Sequence, residues 1–271
     1  MSVLMATGVA IIASFMYNFP IMQKVELKSL ENALHKNLYC QQAAIDALMG
    51  HIRGYVERKH EGVVVLFLAG SEGSGKTLTV DTFREVNPKW KKIVATHEQG
   101  DLNKMTQDQL VTALRGNIHA STLNFLFIDD IPDLAEDTPF VEGKLKPILR
   151  ALKFEKTLVF LVITSYEGNT SLPTFLTNEY EHQTILYEAM PRSCVEKCAI
   201  DVIKALDANP RYIDMEALMD RIHFDDVDGV QVSRDGCKTV PITVALFLSE
   251  SIIQQEREHE IQHPEQGPNE L

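Results

Sequence analysis

Gly70-Ser71-Glu72-Gly73-Ser74-Gly75-Lys76-Thr77 fits the spacing G-x-x-x-x-G-K-[ST] without a mismatch. It follows Val63-Val64-Val65-Leu66-Phe67-Leu68-Ala69, an unbroken apolar and β-branched run that suits a strand buried on both faces. It precedes a stretch, 77–86, with helical spacing. Strand, glycine loop and helix in that order form the context a phosphate cradle requires. The glycines Gly70, Gly73 and Gly75 let the backbone wrap so that N–H groups point inward. The following helix adds its positive end. Lys76 is expected to be solvent-facing in the empty loop and to reach the β- and γ-phosphates of a nucleotide. The Thr77 hydroxyl is expected to be a ligand of Mg²⁺. ATP and Mg²⁺ are thus the expected cofactors.

Working outward, comparable apolar runs recur at 93–95, 123–128 and 158–163, with helical stretches at 77–86, 106–114 and 140–152 between them. This alternation makes a parallel sheet covered on both sides. Residues 27–55 read as two helices divided near Tyr39-Cys40. After Tyr180 no further buried strand is expected; 194–206, 215–223 and 240–253 read as helices. The fold class is α/β, a three-layer domain with a parallel sheet followed by a small helical domain. The expected organisation is a hydrophobic segment 1–24, a nucleotide-binding domain 25–180, a helical domain 181–258 and a polar tail 259–271. The acidic run Asp225-Asp226-Val227-Asp228-Gly229 lacks the spaced carboxylates of a calcium loop and reads as a solvated loop.

A phosphate loop needs a carboxylate across the crevice. Leu126-Phe127-Ile128-Asp129-Asp130 supplies it at the end of the third strand, where strand ends of a parallel sheet converge. Asp129 is expected to hold Mg²⁺ through water, and Asp130 to polarise an attacking water. That second position is usually Glu. Asp is one methylene shorter, and a misplacement of about 1 Å costs roughly a hundredfold in rate.

Composition bounds the rest. The 271 residues are 45% hydrophobic and 24% charged, which excludes disorder over the whole length and a bundle of membrane helices. A net charge of −12 argues against nucleic acid as a partner. Four cysteines without a CxxC pair argue against a disulfide scaffold and a structural zinc site. Residues 1–23 carry no charged side chain; Lys24 and Glu26 are the first. Such a start reads as a secretory signal or a membrane-associating segment, although no basic residue precedes it.

Several segments together resemble the torsins, a branch of the AAA+ ATPases related to the Clp/HSP100 unfoldases. Leu30-Glu31-Asn32-Ala33-Leu34 and Asn37-Leu38-Tyr39-Cys40-Gln41 are similar to the torsin stretch before the nucleotide domain, with Cys40 where that family has Gly. Asp108-Gln109-Leu110, Arg115-Gly116 and Lys144-Leu145-Lys146-Pro147 resemble torsin segments around the third strand. Gly236-Cys237-Lys238-Thr239-Val240 reads as the torsin sensor-2 motif. The likeness runs from about 27 to 250. It implies an ATPase of the endoplasmic reticulum lumen and nuclear envelope that remodels client proteins. It also implies peripheral membrane association, and a membrane-anchored luminal activator that supplies an arginine finger. A homo- or hetero-oligomer is compatible with it. Lys238 would contact the γ-phosphate. Cys198 and Cys237 would be a redox pair, with Cys194 as a competing partner and Cys40 without an assigned role.

The departures from that pattern concern turnover. Thr77 stands where torsins have Asn, and Asp130 where they have Glu. At sensor 1 they carry Asn; the equivalent here is Thr164-Ser165, with Ser165 the expected water-orienting group. The stretch after sensor 1 is shorter. Asn169-Thr170-Ser171 is a glycosylation sequon near this point. Two other readings stay open: a nucleotide-gated binding protein with negligible hydrolysis, and a cytosolic Clp-type AAA+ protein.

Overall fold

The structure is a computed structural model. It describes residues 24–88, 91–94, 106–116, 118–119, 123–131, 138–153, 155–165, 172–209 and 213–262. The apolar start of the chain, the Asn169 sequon and the end of the polar tail lie outside the described residues. The chain divides into two compact units, one up to Glu188 and one from Ala189.

In the first unit a helix α1 (24–37) leads through a turn at Tyr39-Cys40 into α2 (Gln42–Glu57). Cys40 has φ +55°, in the left-handed region that glycine enters freely. The resembling family has Gly there; for cysteine that backbone costs roughly 1–2 kcal/mol. The chain then runs through β1 (Val63–Gly70), α3 (Lys76–Val86), β2 (Lys91–Val94), α4 (Gln107–Arg115) and β3 (Asn124–Ile131). A π-helical turn (Val141–Leu145) enters α5 (Lys146–Leu152). β4 (Val159–Ser165), α6 (Thr174–Glu179) and β5 (Glu181–Tyr187) complete the unit.

The five strands form one sheet in the order β2-β3-β4-β1-β5, with every pairing parallel. Alternate residues of each strand face opposite sides. Val64, Leu66 and Leu68 of β1 join Phe125, Phe127 and Phe160 against the apolar faces of α1, α2 and α3. Val65, Phe67 and Ala69 join Leu126, Ile128 and Ile163 against α5 and α6. This is the expected three-layer arrangement, and it explains why β1 is apolar at every position.

One expectation is corrected here. A fifth sheet strand does follow Tyr180. β5 pairs with β1 from Val64↔Glu181 to Gly70↔Tyr187 and forms the sheet edge. Gln41, buried at the start of α2, pairs with the main chain just beyond β5. Its amide donates to the Glu188 carbonyl at 2.8 Å and accepts from the Glu188 N–H at 3.1 Å.

The second unit has β6 (Met190–Pro191), α7 (Arg192–Ala205), α8 (Met215–Met219), β7 (Phe224–Val227), β8 (Val230–Ser233) and α9 (Val240–Gln262). It is therefore not purely helical. The acidic run is part of an antiparallel hairpin, not a solvated loop. Its turn residues Asp228 and Gly229 have φ +53° and +80°, the mirror-image turn that matches strand twist. α9 also continues past residue 253 to Gln262. Cys198 on α7 is bonded to Cys237, in the turn that opens α9, with a Cα–Cα distance of 6.2 Å. Among the described residues no helix is long and apolar enough to cross a membrane.

Candidate functional site

The phosphate loop leaves β1 at Gly70 and enters α3 at Lys76. At both ends glycine is required by what surrounds it. Gly70 has φ +148°, and a Cβ there would lie 2.4 Å from the Tyr187 carbonyl oxygen. Gly75, the residue before α3, has φ +104°, and a Cβ there would lie 2.8 Å from a Leu38 methyl. Between them Ser71, Glu72, Gly73 and Ser74 make the turn, and the Ser74 hydroxyl donates to the Ser71 carbonyl at 2.7 Å. Lys76 is not solvent-facing as expected. Its side chain is buried, and its ammonium donates to the carbonyls of Gly70 at 2.9 Å and Ser71 at 2.7 Å. The loop thus satisfies its own lysine. Those bonds are what phosphate oxygens would have to replace.

The carboxylate stands across the strand ends. Because β4 lies between β1 and β3, its last residues come between the loop and Asp129. Asp129 is buried, and its Oδ1 accepts from the Thr77 hydroxyl at 3.3 Å and from the Thr164 hydroxyl at 2.5 Å. Thr77 and Asp129 are therefore brought together. The described strand-end hydroxyl that meets the carboxylate belongs to Thr164, the first of the Thr164-Ser165 pair. The β3–β4 register shifts between Ile128 and Ile131, from Ile128↔Ile163 to Ile131↔Ser165. That places an extra residue of β3 in the Asp129-Asp130 pair, a bulge of the kind that re-aims side chains beside active sites. Asp130 and Ser165 occupy these strand ends by their backbone, and their side chains lie outside the described part of the structure.

Lys238 belongs to the second unit, where its N–H bonds the Asp235 carbonyl at 3.0 Å and its side chain is exposed. Cys198 and Cys237 are joined to each other, so Cys194 does not compete for either. Sequence reasoning missed three residues around the loop: Thr79, Tyr187 and Gln41. The Thr79 hydroxyl and the Tyr187 hydroxyl lie 2.7 Å apart and are both fully buried. Burial pushes the Tyr187 phenol well up from its ordinary range. The signal available was a Thr–Tyr pair in otherwise apolar surroundings, and it is weak.

The donor set fits a nucleotide with Mg²⁺. Hard cations take hydroxyl and carboxylate oxygens, and Thr77 and Asp129 present both within 3.3 Å of each other. The glycine turn and the start of α3 suit phosphate oxygens.

No family model matches the sequence, and no curated protein matches it. Solved structures do match the fold. A RuvB variant from Thermotoga maritima aligns with 80% of this chain and 65% of its own length, at 15% identity and TM-score 0.54. A second RuvB variant from the same organism aligns with 80% of this chain and 66% of its own length, at 15% identity and TM-score 0.52. A structure of katanin self-assembly aligns with 89% of this chain and 73% of that chain, at 15% identity and TM-score 0.46. The chain spans just under two thirds of the RuvB chains it matches. The likeness is one of fold: a parallel α/β sheet domain with helices on both faces.

Proposed function

We propose that the chain is a torsin-like AAA+ ATPase of the endoplasmic reticulum lumen and nuclear envelope, which uses ATP to remodel client proteins. The observation that carries the ATPase part is the meeting of Thr77, Asp129 and Thr164 beside a phosphate loop that buries Lys76. Mg²⁺, when bound, supplies neutralisation of β- and γ-phosphate charge. Thr77 and Asp129 would hold it. Lys76 would exchange the Gly70 and Ser71 carbonyls for phosphate oxygens, and Asp130 would orient the attacking water. Lys238 would be the sensor-2 lysine of that likeness. Hydrolysis needs a further positive charge on the transferring group, which this reading assigns to an activator's arginine. The torsin part rests on Gly236-Cys237-Lys238-Thr239 and its neighbours in sequence. Residues 1–24 would be the signal or membrane-associating segment. The Cys198–Cys237 bond suits an oxidising compartment.

The test is single-turnover ATP hydrolysis with and without a torsin-activator luminal domain. Turnover is expected only in its presence. With the activator, Asp130→Glu should raise the rate by up to about tenfold and leave ATP affinity little changed, since the added methylene extends the carboxylate by about 1 Å. A fall in rate would mean that the site is built around Asp. No turnover in either chain would favour a nucleotide-gated binding protein. The location has its own check. In intact microsomes the chain should resist added protease and become sensitive once detergent opens them; digestion without detergent would favour the cytosolic Clp-type reading.

A further inference from the structure

Tyr187, the last residue of β5, meets the first end of the phosphate loop directly and the second end through Thr79 of α3. At the first end its main chain pairs with Gly70 in the sheet, so closely that no side chain fits on Gly70. At the second end its phenol oxygen lies 2.7 Å from Thr79 Oγ1. The direction of that hydrogen bond follows from proton counting. The Thr79 hydroxyl has one proton and gives it to the Gly75 carbonyl at 2.9 Å. A carbonyl only accepts, so the proton between the two hydroxyls is the one on Tyr187. The result is a directed relay, Tyr187 O–H to Thr79 O–H to Gly75 C=O. The Gly75 carbonyl also accepts the Thr79 N–H at 2.8 Å, the bond that opens α3.

We propose that Tyr187 is a positioning residue that clamps the phosphate loop from β5, holding Gly70 and Gly75 at the separation that polyphosphate binding needs. This rests on the nucleotide-binding reading of the loop. Thr79 back-bonding to Gly75 alone is an ordinary habit of helical threonines. The added donor changes its role, because hydrogen bonds in series polarise one another in a dry interior. The relay fixes Gly75 and the N–H groups that follow it, which are the groups that meet phosphate. The relay ends on a carbonyl of the phosphate loop, so its effect should follow the phosphates. The buried phenol stays protonated and keeps its donor role.

The experiment uses the full chain and titrates ATP, ADP and adenosine against it, with Tyr187→Phe, Thr79→Val, Thr79→Ser and the Tyr187→Phe/Thr79→Val double variant. Melting without nucleotide is followed in parallel. Tyr187→Phe should raise the Kd for ATP and ADP by about tenfold, the size expected for one buried hydrogen bond. Adenosine affinity should not change. Thr79→Val should match that loss, and the double variant should be no worse than Thr79→Val, because both cut one relay. Thr79→Ser keeps the hydroxyl and should keep ATP affinity, which separates the relay from simple loss of packing. Equal losses for ATP and adenosine, additive losses in the double variant, or a Thr79→Ser as weak as Thr79→Val would overturn the proposal. ATP binding that depends on Lys76 but ignores Tyr187→Phe would overturn it alone. An unaltered chain that binds no ATP would overturn the nucleotide reading and this proposal with it.

Discussion

Lys76→Ala is expected to lower ATP affinity by at least about a hundredfold, as loss of a charge-assisted contact to phosphate implies. The buried ammonium is already held where phosphate oxygens would meet it, by the carbonyls of Gly70 and Ser71. Binding therefore exchanges one set of acceptors for a more strongly charged one, with little side-chain ordering left to do. The same loop geometry predicts that the variant still folds. Gly70 and Ser71 are only partly buried, so water can reach the carbonyls the lysine leaves. Titration of a fluorescent ATP analogue, with a melting curve on the same sample, is the measurement. Unchanged affinity would place the nucleotide elsewhere on the chain.

The second large effect concerns the second unit. The Cys198–Cys237 bond closes a loop with a sequence separation of 39. Chain-entropy reasoning gives such a cross-link about 4 kcal/mol of stability. Cys198→Ser and Cys237→Ser should each lower the stability of this unit by nearly that amount, and the double variant should be no worse than either. Denaturant unfolding followed in the second unit would show it. Additive losses would mean that the two thiols stabilise the unit through separate packing instead. A stability that is unchanged in both would mean that the bond does not form in solution.

Much of the first unit was legible because its signals are strong and local. β1, β3 and β4 are buried on both faces and so read as unbroken apolar runs, and the glycine loop has a fixed spacing. β5 was not legible for the opposite reason. It is an edge strand, and Glu181, His182, Gln183 and Thr184 stay partly or fully exposed along it; a strand with one wet side loses the apolar run that announces it. The hairpin at 224–233 carried a usable sign, Asp228-Gly229 between short alternating stretches, but its run of carboxylates read as a solvated loop instead. Which hydroxyl of the Thr164-Ser165 pair meets Asp129 was not legible; in the structure Thr164 does. Side-chain facing along a strand alternates, and the bulge in β3 shifts its partner register at that point. No single-strand pattern shows such a shift. The burial of Lys76 was invisible for a different reason: its partners are main-chain carbonyls of the loop itself, and these have no letter in the sequence.

The strand order also has a consequence for how the chain is made. β1 sits between β4 and β5, so as the chain is made β1 waits for both of its neighbours. At about 5–20 residues per second, Tyr187 emerges roughly 5–25 s after Gly70. During that interval Val63–Ala69 is an apolar, proline-free segment without its sheet partners, the kind that pairs with other chains. In the proposed relay, the two ends of the phosphate loop also wait for β5. Ligand present at the site of synthesis therefore has nothing to hold until the first unit is nearly complete, and any helper that shields the nascent chain must act before nucleotide can.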